Sequence, residues 1–531
     1  MTDNAQSTSL LPPANSCEAM RLNLDVLLHV IEVCKPPEGC ALIQTCRVLY
    51  AEGPKYLLKQ TIRLENWTRL LRFLSFLEPK VQMPTQSGLP GDPPQQQRRH
   101  HLVHSLKFSI GPYPTIAILE NDPVGLRYAA ESMAEHQVAL RALVAALPCM
   151  TALSSLTIWY SEAFFCSHGP NLVAAFAALT SLHTLEVFYG GYRTVRMLRE
   201  LQSSLVHACI DFNGSGNTPF FNELPLEDWP AHHPTLMLAH SADTLETLKC
   251  RRWRTHPRIA PSPNTTPVYP RMRELSIDHS TLPVTIAYIR AYPNLTSFSF
   301  SSGLPPHELH VYPDYPQPEA CREQREANVA AQLREQLTWE RLEWVSASSV
   351  DLYMLGLTCR VPHVTVQQLA SFAVLAPTLE HLRPTRMDVE WGPLGYAKAA
   401  VEDVHAALSG PGASQLKSLS IQFELYRAQR NLDIGSLLYA LIPSLSHTSL
   451  EELRIRIWAA YLDTSKGTPR KGKALCTAER ALNTFDAEAY LHQCTSALSS
   501  LREAEVSIEA LRDKKRKTQL VEGQIRSDEW S

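Results

Sequence analysis

The chain has 531 residues, a formal charge of −3, and 44% apolar against 19% charged residues. Those values describe a folded chain with apolar mass for several domains or one elongated array, and they exclude collagen-like and wholly disordered classes. No global positive field favours nucleic acid, no apolar run reaches the ~18 residues that suggest a membrane span, and the twelve cysteines form no C-x-x-C pair. Reduced thiols in cytosol or nucleus are therefore expected rather than a disulfide framework or a metal site.

Residues 1–20 are polar, contain Pro and lack a signal-peptide core, so they are expected to be disordered. From Leu22 to Cys34 the chain reads as a short helix that is apolar on nearly every side. Its polar residues, Asp25, His29 and Glu32, fall at i, i+4 and i+7 and form one thin strip. An ordinary surface helix buries one stripe and shows water the rest, so this one either is wrapped by its own chain or offers a face to a partner. Pro36-Pro37 then starts a second helix, and Leu42 to Leu64 supply apolar groups for a second and third. Three short helices over residues 21–64 form a unit near the lower size limit for independent stability. Residues 78–100, with five prolines and Gln95-Gln96-Gln97, read as a solvated linker or loop.

From about residue 101 to 510 a short pattern recurs: apolar, two variable, apolar, one variable, apolar. It occurs as Val103/Leu106/Phe108, Leu153/Leu156/Ile158, Leu182/Leu185/Val187, Leu205/Ala208/Ile210, Leu245/Leu248/Cys250, Met272/Leu275/Ile277 and Leu295/Phe298/Phe300. It returns as Leu342/Val345/Ala347, Leu416/Leu419/Ile421, Leu450/Leu453/Ile455 and Leu501/Ala504/Val506, while Leu379/Leu382 begins a copy that Pro384 interrupts. The last two apolar positions of each copy alternate with polar ones, as a half-buried strand requires. Helical stretches lie between many copies, among them 135–147, 171–179, 195–201, 434–442 and 487–498. Strand, helix, strand, repeated, implies parallel strands side by side with helices in an outer layer, each unit buried only by its neighbours. The expected fold class is α/β: a three-helix unit followed by an irregular solenoid. The mixed Arg/Glu stretch 319–337 reads as an exposed helix. The basic run from Arg512 to Lys517, in a segment 511–531 set apart as a tail, suits a solvated helix end or an import signal.

The repeated pattern resembles leucine-rich repeats. The resemblance implies that strand residues between the buried ones face the concave side: Trp159, Glu186, Phe188, Lys249, Arg251, Asp278, Trp344, Arg454 and Arg456. Trp and Arg often anchor protein interfaces, and Trp159 and Phe188 occupy matching places in adjacent copies. Trp159, Phe188, Lys249, Arg251, Trp344, Arg454 and Arg456 are the candidate target-binding residues.

The run Leu22-x-Leu24-Asp25-Val26-Leu27-Leu28-x-Val30-Ile31, a Pro break, then Leu42-x-x-Thr45-Cys46-Arg47-x-Leu49-Tyr50 resembles a fungal-type F-box, with Asn23 where that family usually has Pro. The order F-box, linker, repeats is also that of the family. The resemblance implies a substrate receptor of a cullin-RING ubiquitin ligase of the SCF type. Leu22, Leu24, Val26, Leu27, Pro36 and Pro37 would then meet the ligase adaptor, Leu28, Ile31, Leu42, Cys46 and Leu49 would form the bundle core, and the repeats would hold a target protein. It implies no cofactor, and action in the cytoplasm or nucleus.

No phosphate loop, nucleophile elbow or paired catalytic carboxylates appear in the sequence. Gly214-Ser215-Gly216 lacks the surroundings of a nucleophile elbow. His100-His101-x-x-His104 has no acidic or Cys companion and reads as a solvated cluster. The expectation is a non-catalytic chain; a repeat scaffold without a ligase is the alternative.

Overall fold

The computed structural model describes residues 23–78, 99–110, 136–166, 170–212, 233–253, 266–278, 282–302, 318–367, 374–391, 405–462, 475–511, 514–521 and 523–528. Residues 1–20, Leu22 and nearly all of the expected linker 78–100 lie outside them.

Helices α1 (Leu24–Val33), α2 (Pro36–Ile43) and α3 (Arg47–Leu57) open the chain. Asn23 caps α1, its side-chain oxygen accepting from the Asp25 amide at 3.0 Å, which replaces a partner the first turn lacks. Pro36 stands at the first position of α2, where its missing N–H costs nothing. The three helices share a small core of Leu28, Ile31, Ile43, Leu49 and Leu57, separate from the main one.

That unit ends earlier than the sequence suggests. Thr61–Leu64, expected as the end of the helical unit 21–64, is strand β1, paired in parallel with Ser105–Phe108. The sheet thus begins before the Pro/Gln-rich stretch, and helix α4 (Trp67–Leu77) covers its first strand. Two polar residues bind the helices to the sheet. The Gln60 amide donates to the carbonyls of Ile31, Glu32 and Cys34 at 2.7–3.2 Å, satisfying the free end of α1. Arg99 is buried rather than solvated, its guanidinium over the rings of Tyr50 and Phe76 and donating to both backbone carbonyls.

One sheet runs through the rest in strict chain order, with sixteen strands among the described residues. After β1 come β2 (Ser105–Phe108), β3 (Ser155–Ile158), β4 (Thr184–Val187), β5 (His207–Asp211) and β6 (Thr247–Arg251). Then follow β7 (Glu274–Asp278), β8 (Ser297–Ser301), β9 (Trp344–Ala347), β10 (His363–Val366) and β11 (Arg386–Trp391). The longer β12 (Ser418–Tyr426), β13 (Glu452–Tyr461) and β14 (Glu503–Leu511) close the parallel part. Helices between the strands stack on one another and on the inner face, giving a mixed α/β, solenoid-like architecture with a single continuous main core. Every copy of the apolar pattern found in the sequence is a strand with its second and third apolar residues buried.

The register aligns the strands in columns: Leu106, Leu156, Leu185, Ala208 and Leu248 point inward, and Lys107, Thr157, Glu186, Cys209 and Lys249 lie between the inward positions. Just before the strands, Ser and Thr hydroxyls tie each repeat to the one before. Ser154, Ser181, Thr244, Thr296, Thr385 and Ser500 donate to carbonyls of the preceding repeat at 2.8–3.2 Å.

Three expectations change. The interrupted copy is not at Leu379/Leu382, which lie on helix Leu375–Leu382; Pro384 itself takes the first buried place, followed by Met387 and Val389 of β11. The helix Pro318–Glu335 is docked rather than simply exposed, and by amides. Asn328 and Gln332 are buried, Asn328 accepting from the Thr285 amide at 3.1 Å and donating to the Pro283 and Met354 carbonyls at 2.9 and 2.7 Å. The run Lys514–Lys517 is no helix end but opens β15 (Lys514–Val521), which pairs antiparallel with β14 and, across a turn at Gly523 with φ +79°, with β16 (Gln524–Asp528).

Candidate functional site

At 100° per residue, α1 divides into three strips. Leu28 and Ile31 are buried and Leu27 half-buried against α2 and α3. Asp25, His29 and Glu32 form the water-facing polar strip, with His29 Nδ1 3.7 Å from Glu32. Between these two runs a third strip, Val26, Val30 and Val33, that is apolar and uncovered, at 49%, 40% and 67% exposure; Leu24, on the side of Leu28 and Ile31 at the start of the helix, is 38% exposed. Val48, in the first turn of α3, is also exposed. A 34-residue three-helix unit that leaves four valines in water has apolar surface in excess of what its own core uses.

The expected adaptor residues thus separate. Leu24 and Val26 are exposed, Leu27 is half-turned into the core, and Pro37 is exposed at the start of α2. Of the expected core, Leu28, Ile31 and Leu49 are buried and Leu42 half-buried, but Cys46 is exposed, because it occupies the cap position before α3 rather than its inner face. Val30, Val33 and Val48 were missed; Val30 and Val33 follow Val26 at i+4 and i+7, a spacing visible in the sequence.

The second region is the outward face of the sheet. Trp159 and Phe188 flank one another at the ends of β3 and β4, rings stacked at 4.4 Å and 22°. Lys107 of β2 lies over the Trp159 ring at 5.4 Å. One residue further along each strand, Tyr160 and Tyr189 stack at 4.8 Å, both in the left-handed region with φ +53° and +57°. That conformation is strained for a tyrosine and turns the second pair of rings beside the first.

The other candidates lie along the same face but far apart. Lys249 and Arg251 are exposed on β6, Lys249 paired with Glu274 at 3.5 Å. Cys209 sits beside Lys249 on β5; burial pushes its thiol up, against the lowering by Arg251, so it stands protonated rather than as a nucleophile. Trp344 on β9 donates from Nε1 to Thr365 Oγ1 at 3.0 Å, next to His363, whose Nε2 is 2.6 Å from Asp388. Arg454 and Arg456 are exposed on β13. Nine strand spacings separate β4 from β13, roughly 43 Å along the sheet, so the residues mark several contact points and not one pocket.

The histidine cluster is not a solvated trio: His100 is buried and His101 exposed. Among the described residues no group of His, Cys, Asp or Glu is placed to hold a metal, and no helix is long and apolar enough to cross a membrane.

No protein-family model and no curated protein matches the chain.

Proposed function

We propose that the chain is the substrate-receptor subunit of a cullin-RING ubiquitin ligase of the SCF type. Helices α1–α3 act as an F-box-like unit that docks the adaptor, and the sheet acts as a leucine-rich-repeat-like surface that holds a target protein. Ubiquitin transfer belongs to other subunits, and this chain presents the target without performing chemistry on it.

The observation that carries this reading is the uncovered strip Val26-Val30-Val33 on a small helical unit with a core of its own. Covering such a strip with a partner removes apolar surface from water and supplies the stability so small a unit lacks. The outward face of the sheet supports the other half of the reading, with stacked aromatics near one end and arginines near the other. Spread contact points suit a folded protein or a long peptide better than a small molecule.

The test is co-purification of the full chain with the ligase adaptor. A stoichiometric complex that Val26→Asp and Val30→Asp abolish supports the proposal, provided both variants melt as wild type. Failure of the wild-type chain to hold the adaptor overturns it and leaves a protein-binding scaffold without a ligase.

A further inference from the structure

Near the carboxyl end the sheet gathers polar side chains into a hollow. Arg454 and Arg456 of β13 are two residues apart and so share one face. Ser420 and Gln422 of β12 pair with them on one side, Glu505 and Ser507 of β14 on the other, and Lys517 of β15 lies opposite Ser507. These side chains line a cavity of about 250 Å³.

The cavity holds three cations and one carboxylate. That carboxylate is engaged: Glu505 accepts from Gln519 Nε2 at 3.0 Å and lies 3.3 Å from Lys517 Nζ. Arg454 comes no nearer than 3.8 Å to Glu452, and Arg456 is 3.8 Å from Glu509, which Lys515 already approaches at 2.9 Å. Those separations are too long for hydrogen bonds, and each guanidinium has five donors to place. Ser507 is 1% exposed and its Oγ has no hydrogen-bond partner among the described residues. A buried hydroxyl without a partner is costly, and like charges gathered in a hollow repel unless an anion sits among them. Among the residues that line the cavity, donors and cations therefore outnumber acceptors, and Ser507 Oγ and the two guanidinium groups have hydrogen-bonding capacity left over.

We propose that this cavity binds a phosphate monoester. A phosphate offers three acceptor oxygens and nearly two charges, matching two guanidinium groups, an ammonium and a hydroxyl, whereas a carboxylate offers two oxygens and one charge. Glu452, Glu503 and Glu509 stand close by on the same strands, so a polyanion such as a nucleic-acid backbone is repelled at the margin while a single phosphate fits between the arginines. The site sits at β12–β15, at the other end of the sheet from α1–α3, and does not depend on adaptor docking.

A phosphorylated side chain of a partner protein and a small phosphate ligand share this chemistry, and one experiment separates them. The full chain is titrated calorimetrically at low ionic strength and pH 7.5 with inorganic phosphate, a capped phosphoserine tripeptide and the same tripeptide unphosphorylated. The expected result is saturable binding of both phosphate probes with Kd on the order of 1 mM or tighter, none of the unphosphorylated peptide, and weakening below about pH 6 as the phosphate loses its second charge. A tripeptide at least tenfold tighter than inorganic phosphate assigns the site to a phosphorylated protein, and equal affinities assign it to a free phosphate ligand. Arg454→Ala and Lys517→Ala should each weaken binding tenfold or more and Ser507→Ala about threefold, with Arg334→Ala, an exposed cation on helix Pro318–Glu335, unchanged and the adaptor complex intact in all four. Absence of saturable binding to wild type, or undiminished binding by folded Arg454→Ala and Lys517→Ala, overturns the proposal.

Discussion

Val26→Asp is the sharpest perturbation of the adaptor face. Fully burying a valine side chain is worth about 1.5–3 kcal/mol, and Val26 is about half exposed, so an adaptor that covers it gains roughly 1 kcal/mol there. The aspartate forfeits that gain and must also leave water unpaired at the contact, a cost of several kcal/mol. Together these exceed the ~2.7 kcal/mol that corresponds to a hundredfold loss of affinity. The fold should not suffer. Val26 is in the first turn of α1, where a carboxylate is favoured by ~0.3–1 kcal/mol at the positive end of the helix dipole, and its side chain is not in the small core. Calorimetric titration with purified adaptor, paired with a thermal melt, reads both quantities. A Kd within threefold of wild type at unchanged melting temperature would refute the assignment of this strip as the docking face.

Four further substitutions probe the scaffold. Asn328→Leu keeps the branched shape but strands the Thr285 amide and the Met354 carbonyl, while the Pro283 carbonyl keeps the Gln324 amide at 2.6 Å; at ~1–3 kcal/mol for each unsatisfied buried group, local stability should fall by several kcal/mol, seen as faster hydrogen exchange at Thr285, and unchanged exchange would count against amide docking. His233 is fully buried and held down to about 3 by burial, its Nδ1 accepting from Thr235. The unfolded state therefore takes up a proton near pH 6.5 that the folded state refuses, so the contribution is complete above that pH and shrinks as pH falls from 6.5 towards 3, by about 2 kcal/mol at pH 5; urea unfolding of His233→Asn against wild type should show that slope removed. A Cβ on Gly412 would lie 2.3 Å from the Leu379 carbonyl carbon, whereas one on Gly435 meets nothing closer than 3.4 Å. Gly412→Ala should cost about 1–3 kcal/mol or more, and Gly435→Ala, inside a helix, should gain ~0.5–1 kcal/mol; equal melting temperatures would contradict both.

The repeating strands were legible because the period-2 burial of a sheet writes itself into residue order: each full copy read between residues 101 and 510 formed a strand, although the same spacing also falls inside helices, as at Leu71/Leu74/Phe76 of α4. Two strands of the repeats escaped for different reasons. Val361/Val364/Val366 carries the pattern in full and was open to discovery, but Pro384/Met387/Val389 hides it, because a proline can fill a buried place just before a strand, where no ladder N–H is needed. β1 was hidden by position: four residues after three helices carry too little periodicity to announce a change of rule. The hairpin β15–β16 was masked by its charge, although Thr518 and Leu520 alternate and Gly523 is a turn residue. Helix Pro318–Glu335 shows the limit of hydropathy, since Asn328 and Gln332 dock it through hydrogen bonds that no apolar pattern records. On the candidate surfaces, the outward facing of Phe188, Lys249, Arg454 and Arg456 followed from strand alternation. Ser507, next to Val506 on the parallel strand β14, followed in the same way, whereas Lys517 did not, because its strand is brought alongside by a change of direction.

That change of direction has a consequence for self-association. A stack of like-oriented strands exposes at its last rung a row of amides and carbonyls that another copy's first rung could extend, and so on without end. Here β15 runs against β14 and β16 turns back again, so the stack ends on a five-residue strand with Arg526 exposed, beside a strand that opens Lys514-Lys515-Arg516-Lys517; a short, charged edge resists pairing, and β1 is packed by helix α4. Truncation after Leu511 would bare the β14 rung and should turn a monodisperse particle into growing fibres, which light scattering would register within hours.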